Sequence, residues 1–280
     1  MNSTLTCDNE NRYIYDTLLQ ENTFGHTKKV ELFRNAINKL RNENKKESLR
    51  ILDIGCGNGY AVTRFLGKNC DYVLGLDIYK PNIDYASTHF THKGLHFACM
   101  DILSLPVHEK NFDIIVMADI LEHVQDPETM LLTAIKLLSP DGRLLITVPN
   151  GKGPFEIEKL LSNTFIGAYL LKIIYLFIAV LNKYIFKGAW SRAIAAQSND
   201  LPYNAESGHV QFFTKSKLFL LFRSIHLKVV NERNLSFISG PFTSTIFSPS
   251  KMFCKSNTRI VDYLPSWLSS AWFFECCKVG

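Results

Sequence analysis

Apolar positions along the chain follow two rhythms. In residues 28–40, KKVELFRNAINKL, Val30, Phe33, Ile37 and Leu40 recur at helical spacing, which predicts one amphipathic helix behind a polar arm carrying Tyr13, Tyr15 and Phe24. From Leu49 the rhythm shortens. Apolar runs at 49–54, 72–76, 95–99, 112–117 and 143–148 predict five strands, with helical stretches between the first four and again at 127–138. Strands separated by helix-length segments imply right-handed βαβ units around a parallel sheet. The regular pattern lapses after Pro149. It returns at TKSKLFLLFRSI (214–225), a helix with Thr214 as its N-cap, and two further strands follow at 227–231 and 271–278. Pro241, Pro249 and Pro265 make the stretch between those strands loop or short helix.

This order gives an α/β fold, a doubly wound and mostly parallel sheet with a helical, apolar insertion after the fifth strand. Four segments are expected: an N-terminal arm and helix (1–48), a ligand-binding core (49–150), an insertion or acceptor cap (151–213), and a last helix and strands completing the core (214–280). Composition agrees with a packed protein, at 46% hydrophobic and 20% charged over 280 residues. The net charge of +5 is spread thinly, and the basic stretch Arg41–Arg50 also holds Glu43 and Glu47, so no nucleic-acid groove is expected. Seven cysteines without a CxxC pair indicate neither a disulfide framework nor a zinc knuckle, and the polar start MNSTLTCDNENRY has no signal-peptide centre. Those features point to the cytoplasm.

The candidate chemistry begins at LRILDIGCGNGYAV (49–62). A dinucleotide fingerprint needs glycine at positions one, three and six; here Gly55, Gly57 and Gly59 occupy one, three and five, and Tyr60 stands at six. Asp53 precedes the turn, where a carboxylate suits an ammonium or a sulfonium better than a pyrophosphate. Asp77 ends the second strand and Asp101 follows the third, both at the carboxyl edge where parallel sheets bind ligands. Asp77 can accept from both ribose hydroxyls and Asp101 from an adenine amino group. Strand-end aspartates also cap helices, which explains any one of them more easily than three in succession.

LDIGCGNG, the aspartates of GLDI and CMDI, and FDIIVMADILEHV followed by LLSPDGRLLITVPN resemble the successive motifs of class I S-adenosylmethionine-dependent methyltransferases. The nearest branch is the small-molecule one that includes the ubiquinone-biosynthesis O-methyltransferases. The resemblance is close over 28–150 and looser at GHVQFFTKSKLFLLF. It implies seven strands with the last antiparallel, and S-adenosylmethionine as methyl donor. It also implies that Asp53, Gly55 and Gly57 line the methionine portion, that Asp77 holds the ribose, that Asp101 with Ile102 holds the adenine, and that Ala118 with Asp119 closes the far wall. Cys56, Gly59 and Ile78 complete the expected donor site.

Methyl transfer to a hydroxyl also needs a base or a metal ion to take the proton. In ADILEHV, Asp119, Glu122 and His123 fall at i, i+3 and i+4, so on a helical turn they would converge. Three roles stay open for His123: bonding backbone, acting as general base, or joining a divalent site, the last disfavoured because relatives carry glutamate near 118–119. His209 is a second candidate base, with fixing its own loop as the other and preferred role. His89, His92 and His96 are split by Gly94, and Glu156 and Glu158 read as solvated charge or as partners for a cationic substrate.

FIGAYLLKIIYLFIAVL (165–181) carries one charge, Lys172. Helical spacing gathers Ala168, Lys172, Tyr175, Ala179, Asn182 and Lys183 on one narrow face. Three readings follow: a helix buried by its own domain or by a second copy in a homodimer, a lid over a greasy acceptor, or a helix lying at a membrane surface over 165–187. A span through the bilayer would split the α/β domain and is disfavoured. The acceptor implied is a small apolar or lipid-like molecule, most readily methylated at oxygen; transfer to carbon or nitrogen of a lipid-like or aromatic acceptor, and a donor-binding protein without catalysis, are the alternatives.

Overall fold

A computed structural model describes residues 25–105, 111–184, 208–240, 243, 247 and 250–279. The chain divides into two compact units. The first contains 29–151, 271–279 and the described part of 201–233; the second contains the described residues of 1–28, 152–200 and 234–270.

The first unit is built on a seven-stranded sheet. Its strands are β1 (Arg50–Ile54), β2 (Tyr72–Asp77), β3 (Leu95–Cys99), β4 (Phe112–Ala118), β5 (Leu138–Pro149), β6 (Leu227–Asn234) and β7 (Ala271–Lys278), in the order β3-β2-β1-β4-β5-β7-β6. The pairs among β1 to β5 are parallel, and β7 lies antiparallel to β5, so the closing strand has the expected direction. β1 and β4 read as almost unbroken apolar runs because parallel strands are covered on both faces; Ile51, Leu52 and Ile114 to Met117 are fully or almost fully buried. The strand order reverses between β1 and β4, where such sheets open a crevice at their carboxyl ends.

Helix α1 (His26–Glu43) turns Val30, Phe33, Ile37 and Leu40 into the core, at 3.6-residue periodicity, and Phe33 meets Phe273 of β7 edge-on at 5.8 Å between centroids. Helix α2 (Lys80–His89) crosses from β2 to β3. Helix α3 (Pro127–Leu137) starts sharply, because Asp126 accepts from the Thr129 amide at 3.0 Å and Pro127 needs no amide partner there. Among the described residues, two of the expected crossover helices are not formed. Residues 55–71 hold a single 3-10 turn, Thr63–Phe65, and the described residues between β3 and β4 hold another, Ile102–Ser104. Gly55, Gly57 and Gly59 all adopt positive φ, and β-branched Val62 and Thr63 follow, so the segment does not enter a helical conformation. Arg64 braces it instead, its guanidinium 3.5 Å from the Tyr60 ring centroid and 5.5 Å from that of Phe90.

The described α-helices of the second unit include α4 (Pro154–Ser162), α5 (Phe165–Tyr184) and, later in sequence, α7 (Lys251–Ile260); α6 (Lys215–Ser224), capped by Thr214, belongs to the first unit. Glu158 is not solvated charge: its carboxylate accepts from the amide and hydroxyl of Thr243. Asn257 holds the Ile238 backbone from both sides, at 3.0 and 2.8 Å. The apolar side chains of α4 and α5 are largely outside. Leu160 is 71% exposed, Phe165 90% and Leu176 67%. Among residues whose side chains are described, no helix is long and apolar enough to cross a membrane. The side chains of 178–184, Ala179, Asn182 and Lys183 among them, and residues 185–187 lie outside that description.

Candidate active site

The carboxyl ends of β1, β2 and β4 bring most of the expected donor residues together. Gly55 and Cys56 donate their amides to the Leu76 carbonyl at 2.8 and 2.9 Å, fastening the turn to β2. The Asp77 carboxylate finishes that attachment, accepting from Gly57 N at 2.9 Å and from Tyr79 N at 2.7 Å. A carboxylate has about four acceptor positions, so Asp77 keeps capacity for ribose hydroxyls. A Cβ on Gly55 would strike Ile120 at 2.6 Å, whereas one on Gly57 would meet nothing within 4 Å. The chain is therefore packed on one side of the turn and open on the other, where backbone can approach a ligand closely.

Asp53 is 1% exposed beneath that turn. Its Oδ2 accepts from the Thr63 hydroxyl at 2.7 Å, and its Oδ1 is buried without a hydrogen-bond donor. Burial pushes the carboxyl group up to about 7; the Thr63 bond opposes this, nearby Asp77 adds to it, and Lys29 opposes it. Cys56 is also buried and its thiol is held well above the usual range, which makes it a packing group.

Asp101 does cap, accepting from Leu103 N at 2.9 Å at the start of its 3-10 turn, yet it stays exposed at the sheet edge. Ile102 is buried behind it, while Ile78 and Leu103 stand 71% and 57% exposed. Exposed apolar side chains beside two strand-end carboxylates suit a flat, polar-edged ring such as adenine.

The turn after the fourth strand departs from expectation. Leu121–His123 is a 3-10 turn, and Asp119 sits outside it at φ +53°. Asp119 turns instead to the Thr147 hydroxyl, 2.7 Å away, and to an ion pair with Lys29 of α1. The i, i+3, i+4 convergence of Asp119, Glu122 and His123 does not form, because it required an α-helical turn. His209 joins Glu122 and His123 in its place: the possible ligand atoms of these three lie within 4.8 Å of one another, and the two imidazole centroids are 5.0 Å apart. The Glu122 carbonyl accepts from the amides of Val210 and Gln211, at 2.8 and 3.0 Å, and so fastens residues 208–213 to this turn. Lys29, Thr63 and Thr147 had no signal in the sequence that tied them to the site; Lys29 stands 24 positions ahead of Asp53.

The profile described as "Methyltransferase domain" matches residues 24–232, most of the chain. The chain belongs to this family. Ubiquinone biosynthesis O-methyltransferase of Coxiella burnetii is 35% identical over 102 residues, covering 36% of this chain and 43% of that protein. The protein of the same name from Maricaulis maris is 32% identical over 114 residues, covering 40% and 44%. The chain thus spans less than half the length of these curated relatives. Among solved structures, the plantazolicin methyltransferase BpumL, in complex with a monoazolic desmethylPZN analog and SAH, aligns with a TM-score of 0.54 at 16% identity, covering 98% of this chain and 92% of that one. A putative methyltransferase bound to the Haloferax volcanii Trm112 activator aligns at 0.53 with 14% identity, over 97% and 96%. At such identities these structures speak for the fold. Together with the motifs, the family match identifies a class I, S-adenosylmethionine-dependent methyltransferase domain in this chain. The site suits that donor: an orphaned buried oxygen on Asp53 fits an incoming cation, and the open side of Gly57 fits a ligand lying against backbone.

Proposed function

We propose that the chain methylates an oxygen of a small, apolar acceptor, with His123 as general base. The observation that carries this reading is the orientation of His123. Its Nδ1 lies 3.2 Å from the Gly208 carbonyl, which can only accept, so Nδ1 carries the proton and Nε2 presents a lone pair. Nε2 is 3.9 Å from Glu122 Oε1, and that buried carboxylate supports the imidazolium once a proton has been taken. His209 and Phe212 flank the base, their rings 6.3 Å apart, giving the acceptor an aromatic wall; Phe212 is 51% exposed.

S-adenosylmethionine supplies an activated methyl group on a sulfonium, so the chain's task is alignment and proton removal. Asp77 holds the ribose, Asp101 with Ile78 and Ile102 the adenine, and Asp53 the amino-acid ammonium. Ala118 closes the wall beneath the methionine portion. His123 Nε2 takes the acceptor proton as the new O–C bond forms. A divalent ion held by Glu122, His123 and His209 is the alternative way to acidify the acceptor. Turnover that survives exhaustive chelation but collapses in His123→Ala supports the base; the reverse pattern overturns it.

The exposed apolar side chains of α4 and α5 support a second part of the proposal, contact with a membrane surface or a lipid-like acceptor. Each leucine or isoleucine moved into an apolar phase contributes about 1.5–3 kcal/mol. Liposome flotation of the wild type and of a Leu160→Ser, Leu176→Ser double variant tests it; equal flotation would remove the membrane from the reading.

A further inference from the structure

Asp53 has a property that methyl transfer itself does not require. Its carboxyl group is buried beneath the glycine turn, bonded on one oxygen to Thr63 and without a donor on the other. Charged and titratable groups face it from every neighbouring element: Asp77 from the end of β2, Cys56 from the turn, and Lys29 from α1. The Lys29 ammonium is already committed to Asp119 at the end of β4. A second acid and a committed cation leave a buried carboxylate poorly compensated, and such a group retains its proton.

We propose that donor binding is proton-linked through Asp53: the empty turn holds this acid protonated, and the arriving amino-acid ammonium displaces the proton. The inference rests on the donor reading and deepens it. The O–H bond of the carboxylic acid breaks, the proton leaves to buffer, and the ligand's N–H donates to the oxygen that had no partner. One proton is released per ligand bound to the protonated form, and charge is conserved. Substrate and product both carry the ammonium, so acid empties the site of either. With Asp53 titrating at about 7, apparent affinity is fully developed near pH 8 and declines below neutrality.

Calorimetry with S-adenosylhomocysteine and with 5′-methylthioadenosine, which keeps the adenosine and sulfur but lacks the amino acid, separates the possibilities. The S-adenosylhomocysteine Kd is expected to rise about tenfold from pH 8 to pH 6, while that of 5′-methylthioadenosine changes less than about twofold. In buffers of different ionisation enthalpy, proton release should approach one per ligand at pH 6. A flat S-adenosylhomocysteine profile overturns the proposal. So does an equal slope for both ligands, which would place the titrating group away from the amino acid. Asp53→Asn should flatten the profile, and a persistent slope in that variant counts against Asp53; should the variant not fold, the ligand pair on the wild-type protein decides. If neither ligand binds at any pH, the donor reading fails and this inference falls with it.

Discussion

The two units break the rule of polar outside and apolar inside in opposite directions. The sheet unit buries acids: Asp53, Glu122 and Glu275 are each no more than 3% exposed, and Thr147 is fully covered. The insertion unit exposes large apolar side chains, with Phe165, Leu160 and Leu176 mostly in solvent. A buried acid costs free energy unless something satisfies it, and an exposed leucine forgoes the gain of burial. At Asp53, whose second oxygen has no donor, and on the exposed faces of α4 and α5, the departure is not offset within the described residues. The reading proposed above gives the first a cation and the second an apolar partner. A carboxylate in the core and a leucine on the surface are thus the same kind of clue, read with opposite sign.

That contrast is broken most decisively at His123. His123→Ala should lower turnover by about 10²–10⁴-fold while the S-adenosylhomocysteine Kd stays within about twofold, because the base meets the acceptor and not the donor. A large loss of donor affinity would instead place His123 in the binding of both.

Next comes the cost of the buried acid. The Asp53 carboxyl is raised in the folded, empty protein, so between about pH 4 and pH 7 the native state binds more protons than the unfolded chain. Stability therefore falls as pH rises through that window and levels off above it. Asp53→Asn should remove the fall, leaving the empty variant about 2–4 kcal/mol more stable than wild type at pH 8 and nearly equal at pH 4, measured by urea unfolding. Equal stabilities at pH 8 would mean that the carboxylate is compensated without ligand.

Asp77→Ala should weaken S-adenosylhomocysteine by about 1.5–3 kcal/mol, the scale of hydrogen bonds to a charged group. Part of that loss comes from freeing the Gly57 and Tyr79 amides. Asp77→Asn, which can still accept from one of them, should recover part of it. The smallest expected effect belongs to the other unit. Leu160→Ser with Leu176→Ser should change unfolding free energy by less than about 0.5 kcal/mol per site, since little packing is lost. A cooperative loss of several kcal/mol would show that the exposed face is covered in solution.

Much of the sheet unit was legible in the sequence because its code is local. Apolar runs mark β1 to β5 and β7, and Asp53, Asp77 and Asp101 stand at strand ends where position alone implies the ligand edge. Thr214 was readable as a cap for the same reason. The missing helix after the glycine turn was not, since a helical prediction follows from spacing between strands while the positive φ of three alternate glycines is seen only in the backbone. Asp119 was assigned to the wrong neighbours because i, i+4 logic presumes an α-helix, and a 3-10 turn with a left-handed residue before it sends the side chain elsewhere. Lys29, and the pairing of Glu158 with Thr243, rest on contacts between residues far apart in the chain, where no local pattern points from one to the other.

The placement of β7 carries a consequence for how the molecule is assembled. Residues 271–278 fill an interior slot between β5 and β6, so β6 has β7 as its neighbour and reaches the rest of the sheet through it. During synthesis, the glycine turn and the first five strands leave the ribosome well before that slot can be filled. Until then β5 presents an open, apolar edge, and an unpaired edge of that kind invites pairing with another chain. The nascent protein therefore passes through a stage that already contains the donor cradle yet is prone to association, and chaperone dependence should track the arrival of the last eight-residue strand rather than the completion of the binding motifs.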